Sequence, residues 1–383
     1  MTRFATLLIS LMLAACASPP PAAPTVELLH DALFAPPAQA PSSAAEIFAM
    51  TEPMKRYADH DIATQLRNRG PQKGLLDALY SKRQLKLEYD AERTRTASEA
   101  FEARAGNCLS LVIMTAAFAK HLGMQVSYHS VYTDETWTRN QDTYFASGHV
   151  NVTLGRRWAD SGMRGTHPTW TIDFLPPEDR RGQRSREVSE ATIVAMYMNN
   201  RAAESLAAGE LNEAYAWVRA AVRHEPGFLS GYNTLAVIYL RRGHVAEAER
   251  ALAHVLQHDP LSTIAMSNMA RVQSALGRPE VARDLTARLA RLDPEPPFHF
   301  FDLGQVAMRK GDYNTAQQWF AKEVARAPYH HEFHFWLAMA NYQLGDIASA
   351  RQQLDLALST STTRRNQQLY AAKLDHLKHL GLQ

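Results

Sequence analysis

The sequence predicts an α+β domain in its first half and an all-α repeat solenoid in its second. Two observations carry the first part. An apolar, Ala-rich helix opens directly on Gly106-Asn107-Cys108, and segments with β-type alternation follow it. A third observation carries the second part. From Met196 onward, glycine, alanine and proline recur at a fixed spacing of 34 residues.

A chain of 383 residues is long enough for two or three domains, each with its own core. Its formal net charge of +2 and the lack of any long block of like charge give no case for nucleic acid. There are two cysteines, Cys16 and Cys108, and they sit in different contexts.

Residues 1–15 have a short charged start at Arg3, an apolar run from Phe4 to Leu13, and then small residues. This is the shape of a secretory signal, and the run is too short for a mature membrane span. The exit, Leu13-Ala14-Ala15-Cys16, resembles the lipobox of bacterial lipoproteins. That resemblance implies acylation of Cys16 and a lipid anchor. Ala17 is not an Asp-type retention signal, so the implied location is the outer membrane, facing the periplasm. Cys108 is then left without an intramolecular partner in an oxidising compartment, where an odd thiol is either reactive or buried and inert.

Residues 16–44 read as a Pro/Ala-rich linker, because proline at this density favours extended, solvated chain. A short amphipathic piece, Val26 to Phe34, interrupts it and is expected to dock on the fold or on lipid. The first domain is placed at 45–190. Ala45 to Ala105 reads as helical, with a break at Gly70-Pro71 and a helix over Arg93 to Arg104. Cys108 lies in the first turn of the next helix, which Gly123 closes. Unpaired N–H groups and the helix dipole there favour a thiolate. Gln125 to Tyr132 alternates as a strand, Thr133 to Asp142 reads as a polar loop, and Tyr144 to Leu154 and Pro168 to Pro176 read as further strands. Helices first and a small antiparallel sheet second make an α+β layout.

Three blocks stand in a telling order: Thr96 through Leu111 with Gly-Asn-Cys, Ser147-Gly-His-Val-Asn-Val152, and Trp170-Thr-Ile-Asp-Phe174. Together they resemble the transglutaminase-like superfamily, a papain-like cysteine fold, over roughly residues 75 to 178. The resemblance implies Cys108 as nucleophile, His149 as the base that holds the thiol proton, and Asp173 as the group that orients the imidazole. The backbone N–H of Cys108 would contribute to an oxyanion hole. His129 and His167 are alternatives to His149, and Asp160 to Asp173. The interval from His149 to Asp173 is longer than the family's usual hairpin. Gly155 to His167 reads as an inserted loop able to line a cleft with Trp158 and Trp170, although such aromatics are more often core. Attack by water on the acyl-enzyme would make a peptidase or amidase; attack by an amine would make a crosslinking transamidase.

The second domain is placed at 195–383. Gly209, Gly243, Gly277, Gly311 and Gly345 share the 34-residue step, as do Ala214, Ala248, Ala282, Ala316 and Ala350, and Pro226, Pro260, Pro294 and Pro328. The length and residues resemble the tetratricopeptide repeat: about five repeats and a capping helix from Arg364 to Leu382. Tyr232, Leu235, Tyr239 and Phe320 are the expected large packing residues, and Thr362 stands where the fifth proline would be. Such arrays present a groove to a peptide or partner protein. Tyr329-His-His-Glu-Phe-His334 looks like a metal cluster but lacks His-Glu-x-x-His spacing, so these residues read as repeat surface, and neither metal nor cofactor is expected. The whole reads as a membrane-anchored thiol hydrolase whose repeats recruit a protein or peptide substrate. The alternatives are a non-catalytic envelope scaffold and a transamidase.

Overall fold

The structure is a computed structural model that describes residues 27–80, 85, 87–90, 93–132, 137–140, 143–146, 149–157, 169–174, 184–328, 330–361 and 364–380. The signal-like segment, Cys16, Trp158, Asp160, His167 and Thr362 lie outside the described residues.

Helices come first, as the periodicity predicts. They are α1 (Ala44–Ile47), α2 (Glu52–Arg56), a π-turn at Tyr57–Asp61, α3 (Ala63–Arg69) and α4 (Pro71–Tyr80). A minimal strand β1 (Glu88–Tyr89) pairs in parallel with β2 (Ala105–Gly106), so this stretch is not wholly helical. Between them α5 (Ala97–Ala103) is closed at its start by a capping box. Thr96 accepts from the Glu99 N–H while Glu99 accepts from the Thr96 N–H. It ends on Arg104 in the left-handed region at φ 51°, which turns the chain into β2.

Helix α6 (Cys108–His121) is buried from Leu109 through Ala119. An apolar helix with no polar stripe belongs in the middle of a core, and α6 packs against the main sheet. That sheet has the order β7-β6-β3-β8, from Trp170–Ile172, His149–Arg157, Met124–Tyr132 and Arg184–Val188, all antiparallel. The expected polar loop after β3 instead holds β4 (Trp137–Asn140), which pairs with β5 (Thr143–Ala146) as a separate hairpin. The single strand expected over Tyr144 to Leu154 is therefore divided between two sheets. Strand β8 carries no alternating apolar pattern, because Arg184-Ser-Arg-Glu-Val188 lies at a sheet edge where polar residues are tolerated.

From Glu190 the chain is a series of helix pairs. The helices are α7 (Glu190–Ala207), α8 (Leu211–His224), α9 (Leu229–Arg242), α10 (Val245–His258), α11 (Thr263–Ala275), α12 (Pro279–Leu292), α13 (His299–Arg309), α14 (Tyr313–Arg326), α15 (His331–Gln343), α16 (Ile347–Thr360) and α17 (Arg364–Leu380). The five periodic glycines all take positive φ between 72° and 88°, the backbone that ends the first helix of each pair. The periodic alanines are buried, as are Tyr232, Leu235, Tyr239 and Phe320. Burying large rings beside alanine lets adjacent helices approach closely.

Helix α7 belongs to both halves. It packs against α6 and β3 on one side and against α8 and α9 on the other. One buried cluster consequently runs from Ile47 through the sheet and the first repeats to Val272. Two smaller clusters follow, centred on Phe298–Ala340 and Ala338–Leu377.

Candidate functional site

Cys108 is the first residue of α6 and is partly exposed. Its position is fixed by the residues beside it. Asn107 is the N-cap: its Oδ1 accepts from the Ser110 N–H at 2.9 Å and the Ser110 hydroxyl at 2.8 Å. Its Nδ2 donates to Thr94 Oγ1 at 2.8 Å. Ser110 Oγ in turn accepts from the Arg95 N–H at 2.8 Å. The relay continues into the repeat half, where the Thr94 N–H donates to Glu204 at 2.7 Å and Arg201 donates to the Thr94 carbonyl at 3.3 Å. Gly106 leaves no room for change: a Cβ there would meet Ser110 Cβ at 2.7 Å. The first turn of α6 is thus braced from two directions.

His149 opens β6 opposite Val131, and its side chain is 1% exposed. Its Nε2 and Asp173 Oδ1 are 2.7 Å apart, with the Asp173 side chain 7% exposed just past β7. Cys108 is near enough to the imidazole to bear on its proton equilibrium. Burial acts to lower the His149 pKa, but the hydrogen bond to Asp173 and the negative charge of Asp173 and Cys108 outweigh it and raise it to about 9.

The structure therefore brings Cys108, His149 and Asp173 together. His129 is not part of this group; its Nδ1 lies 3.4 Å from Thr153 Oγ1. Trp170 is 37% exposed, so it is not the core residue that aromatics in this region usually are. One participant escapes sequence inspection. Asn151, two residues after His149 and so on the same face of β6, donates to Asp173 Oδ2 at 3.4 Å. The i, i+2 spacing is the only signal that points to it. Thr94, Ser110 and Glu204 give no such signal, because their roles depend on contacts across the fold.

A cleft of about 540 Å³ lies between α6, β3, β8, α7 and the start of α9, and Cys108, His149 and Asp173 are not among its lining residues. Leu109, next to Cys108, forms part of its wall, with Arg186, Thr192 and Met196. Asn199 lines it as well; this side chain is 9% exposed and its Oδ1 has no hydrogen-bond partner among the described residues.

The histidines near the end of the array are placed differently from the expectation. His334 is buried, contacting Gln353 Oε1 at 2.7 Å and the Pro328 carbonyl at 2.6 Å, and His331 contacts the Tyr370 hydroxyl at 2.8 Å. His334 is an interior packing residue of the last repeats and His331 is half-buried against α17, so neither is open repeat surface. No cluster of metal-ligating side chains occurs among the described residues.

Residues 233–297 and 301–366 match the tetratricopeptide repeat family. The second half is a tetratricopeptide repeat solenoid. A curated relative, the TPR repeat-containing protein YvcD of Bacillus subtilis, is 26% identical over 148 residues, which is 38% of this chain and 30% of that protein. The chain thus spans under a third of the relative's length. Among solved structures, TTC0263 of Thermus thermophilus is 18% identical with a TM-score of 0.32, over 47% of this chain and 98% of that one. YrrB, a TPR protein with an unusual peptide-binding site, is 19% identical with a TM-score of 0.25, over 47% and 92%. Pseudomonas aeruginosa pilF is 18% identical with a TM-score of 0.31, over 50% and 87%. Tetratricopeptide repeats generally bind protein or peptide partners.

Proposed function

We propose that this chain is an interaction protein whose tetratricopeptide array holds a protein or peptide partner, and that its α+β half offers that partner a thiol acyl-transfer site. The interaction part has the broader support, from the in-register repeats over 233–366. The chemical part rests on one observation, the Cys108–His149–Asp173 arrangement with His149 buried against the carboxylate at 2.7 Å. A papain-like, transglutaminase-like fold accounts for a cysteine at a helix start facing a sheet that carries the histidine and aspartate. In this reading the Cys108 sulfur attacks a carbonyl and His149 returns the proton to the leaving group. Water or an amine then releases the acyl group. The 540 Å³ cleft walled by Leu109 and helix α7 joins the two halves one residue from Cys108 and could seat a partner that spans both. Acylation of Cys16 would hold the protein at the outer membrane, in the periplasm.

The test is alkylation of the full chain with iodoacetamide at pH 7, with the modified residue mapped. Cys108 should react faster than free cysteine, and the rate should fall in His149→Ala. If Cys108 reacts no faster than free cysteine and His149→Ala is silent, acyl transfer is abandoned. The scaffold reading would then stand alone, favoured by the repeats. An amine offered with a peptide substrate separates the two reactions, since incorporation marks a transamidase.

A further inference from the structure

The amphipathic piece of the linker is docked on the first two repeats. Leu28, Leu29, Leu33 and Phe34 pack against the core, with a single 3-10 turn at Asp31–Leu33. The manner of docking is that of a bound peptide. The Tyr239 hydroxyl donates to the Leu28 carbonyl at 2.8 Å and accepts from the His30 N–H at 3.0 Å. Asn212 Oδ1 accepts from the Ala35 N–H at 3.2 Å, and the Glu213 carboxylate accepts from the Ala38 N–H. These contacts grip the backbone and are indifferent to side-chain identity.

Two side chains supply selectivity. The Asp31 carboxylate accepts from the Tyr215 hydroxyl at 2.8 Å, Arg219 at 3.0 Å and Arg223 at 3.3 Å. Three residues on, Phe34 stacks on Tyr215 with centroids 3.9 Å apart and planes at 3°, and the Arg242 guanidinium lies 5.5 Å from its ring centroid. Tyr215, Arg219 and Arg223 lie four apart on one face of α8. The periodic array offers an internal control. One step on, those positions are Glu249, Ala253 and Gln257, then Arg283, Ala287 and Arg291, then Gln317, Ala321 and Ala325. The repeat fold therefore does not require the Tyr-Arg-Arg face; the segment it holds does.

We propose that the cleft formed by α8, α9 and α10 is a peptide-recognition site for segments with a carboxylate three residues before an aromatic ring. Residues 28–38 are its resident, displaceable ligand. The ion pairs add little to the hold, and a matching segment would regain the backbone bonds and the ring stack. The Asp31, Arg219 and Arg223 side chains are 49%, 34% and 50% exposed, and exposed ion pairs contribute little. The Pro/Ala composition on both sides of the segment leaves it a tethered motif and not part of a helix or sheet. Tethering gives it a high effective concentration, roughly millimolar for a short flexible linker, so a partner competes only if it binds better or arrives in several copies. This deepens the interaction reading above by naming the ligand pattern, and it rests on that reading only in taking the array as a peptide binder.

The experiment uses a fluorescent peptide of residues 27–38 and the full chain in three forms. Wild type should bind it weakly, because its own segment holds the cleft. The double variant Asp31→Arg, Phe34→Ala vacates the cleft and should bind at least tenfold more tightly. Adding Arg219→Glu and Arg223→Glu to that variant should abolish the gain. A peptide with Asn for the aspartate and Ala for the phenylalanine should not bind. Equal binding by wild type and the vacated variant overturns the resident-ligand assignment. No binding by a vacated variant with unchanged melting overturns the site. Should the double variant melt early, Phe34→Leu keeps the apolar cover and removes only the stacked ring, and a gain in peptide binding is required of it too. Cys108 alkylation is not a readout here, so failure leaves the acyl-transfer reading untouched, and the rest of the array remains open to other partners.

Discussion

Two histidine environments in this molecule respond to burial in opposite ways. His149 is raised to about 9, whereas His330 is lowered to about 3. Desolvation opposes the cation in both places. At His330 burial is reinforced by the neighbouring His331 and His334, and the ring packs on Phe333 with centroids 4.1 Å apart. At His149 the Asp173 hydrogen bond and the charges of Asp173 and Cys108 override burial. Partner chemistry, not depth, decides which histidine can carry a proton at neutral pH. The motif that looks functional in sequence, His-His-Glu-Phe-His, is packing, and the isolated His149 is the one in a chemical constellation.

The largest effect is expected from breaking the His149 side of this contrast. His149→Ala should slow Cys108 alkylation at pH 7 by about 10²-fold, the usual scale for losing a positioned base. A rate within twofold of wild type would mean that the imidazole does not activate the thiol. Next, Asp173→Asn keeps a polar partner for Nε2 but removes the charge. The His149 midpoint, followed by imidazole NMR, should fall from about 9 by at least ~1 unit, because desolvation then meets less opposition. An unchanged midpoint would shift the cause to Cys108.

The same contrast has a stability signature. His330 is lowered in the folded chain, so the unfolded chain binds its proton more readily below the ordinary histidine value near 6.5. Its contribution is intact above that value and is lost as pH falls from there toward 3. Between pH 7 and pH 5 the loss should be about 1–2 kcal/mol, measured by urea unfolding of the last repeats. His330→Phe should flatten the acid slope. His149 behaves inversely. Its folded pKa is raised, so its contribution is complete below about 6.5 and disappears as pH climbs through about 9. Asp173→Asn should remove that alkaline slope and leave the acid one.

Legibility in the sequence divides along physical lines. The solenoid is legible because one constraint repeats: Gly at positive φ and Ala under a large ring recur every 34 residues, and each recurrence confirms the last. Cys108 and His149 are legible because each sits at the start of a regular element, next to a Gly-Asn or Ser-Gly punctuation. Strand β8 and the β4–β5 hairpin are not, since their polar residues are chosen by edge position and pairing partner, which no local pattern records. Nor is the Thr94–Glu204 link, which joins residues 110 apart. Docking of Leu28 to Ala38 is half legible: the apolar pattern announces a surface to cover, while the Tyr215 face that covers it is found only in three dimensions.

The smallest effect sharpens the comparison further, because it asks whether the His149 site depends on its scaffold as the His330 cluster depends on its packing. Asn107 serves α6 in two ways: its Oδ1 caps Ser110, and its Nδ2 reaches Thr94 and so the repeat half. Asn107→Ala loses both and should cost about 1 kcal/mol in stability, the usual value of an N-cap, with a several-fold fall in Cys108 alkylation. Asn107→Asp restores the cap acceptor but not the donor, and places a negative charge beside Cys108. Stability should return toward wild type while alkylation stays low, since a carboxylate there disfavours the thiolate. If alkylation recovers along with stability, Asn107 is a helix cap and nothing more, and the relay to α7 has no bearing on the thiol. If the two readouts separate, the charge at position 107 acts on the thiol apart from the cap; Thr94→Val, which removes the Asn107 Nδ2 acceptor and adds no charge, must also slow alkylation if the relay to α7 bears on Cys108.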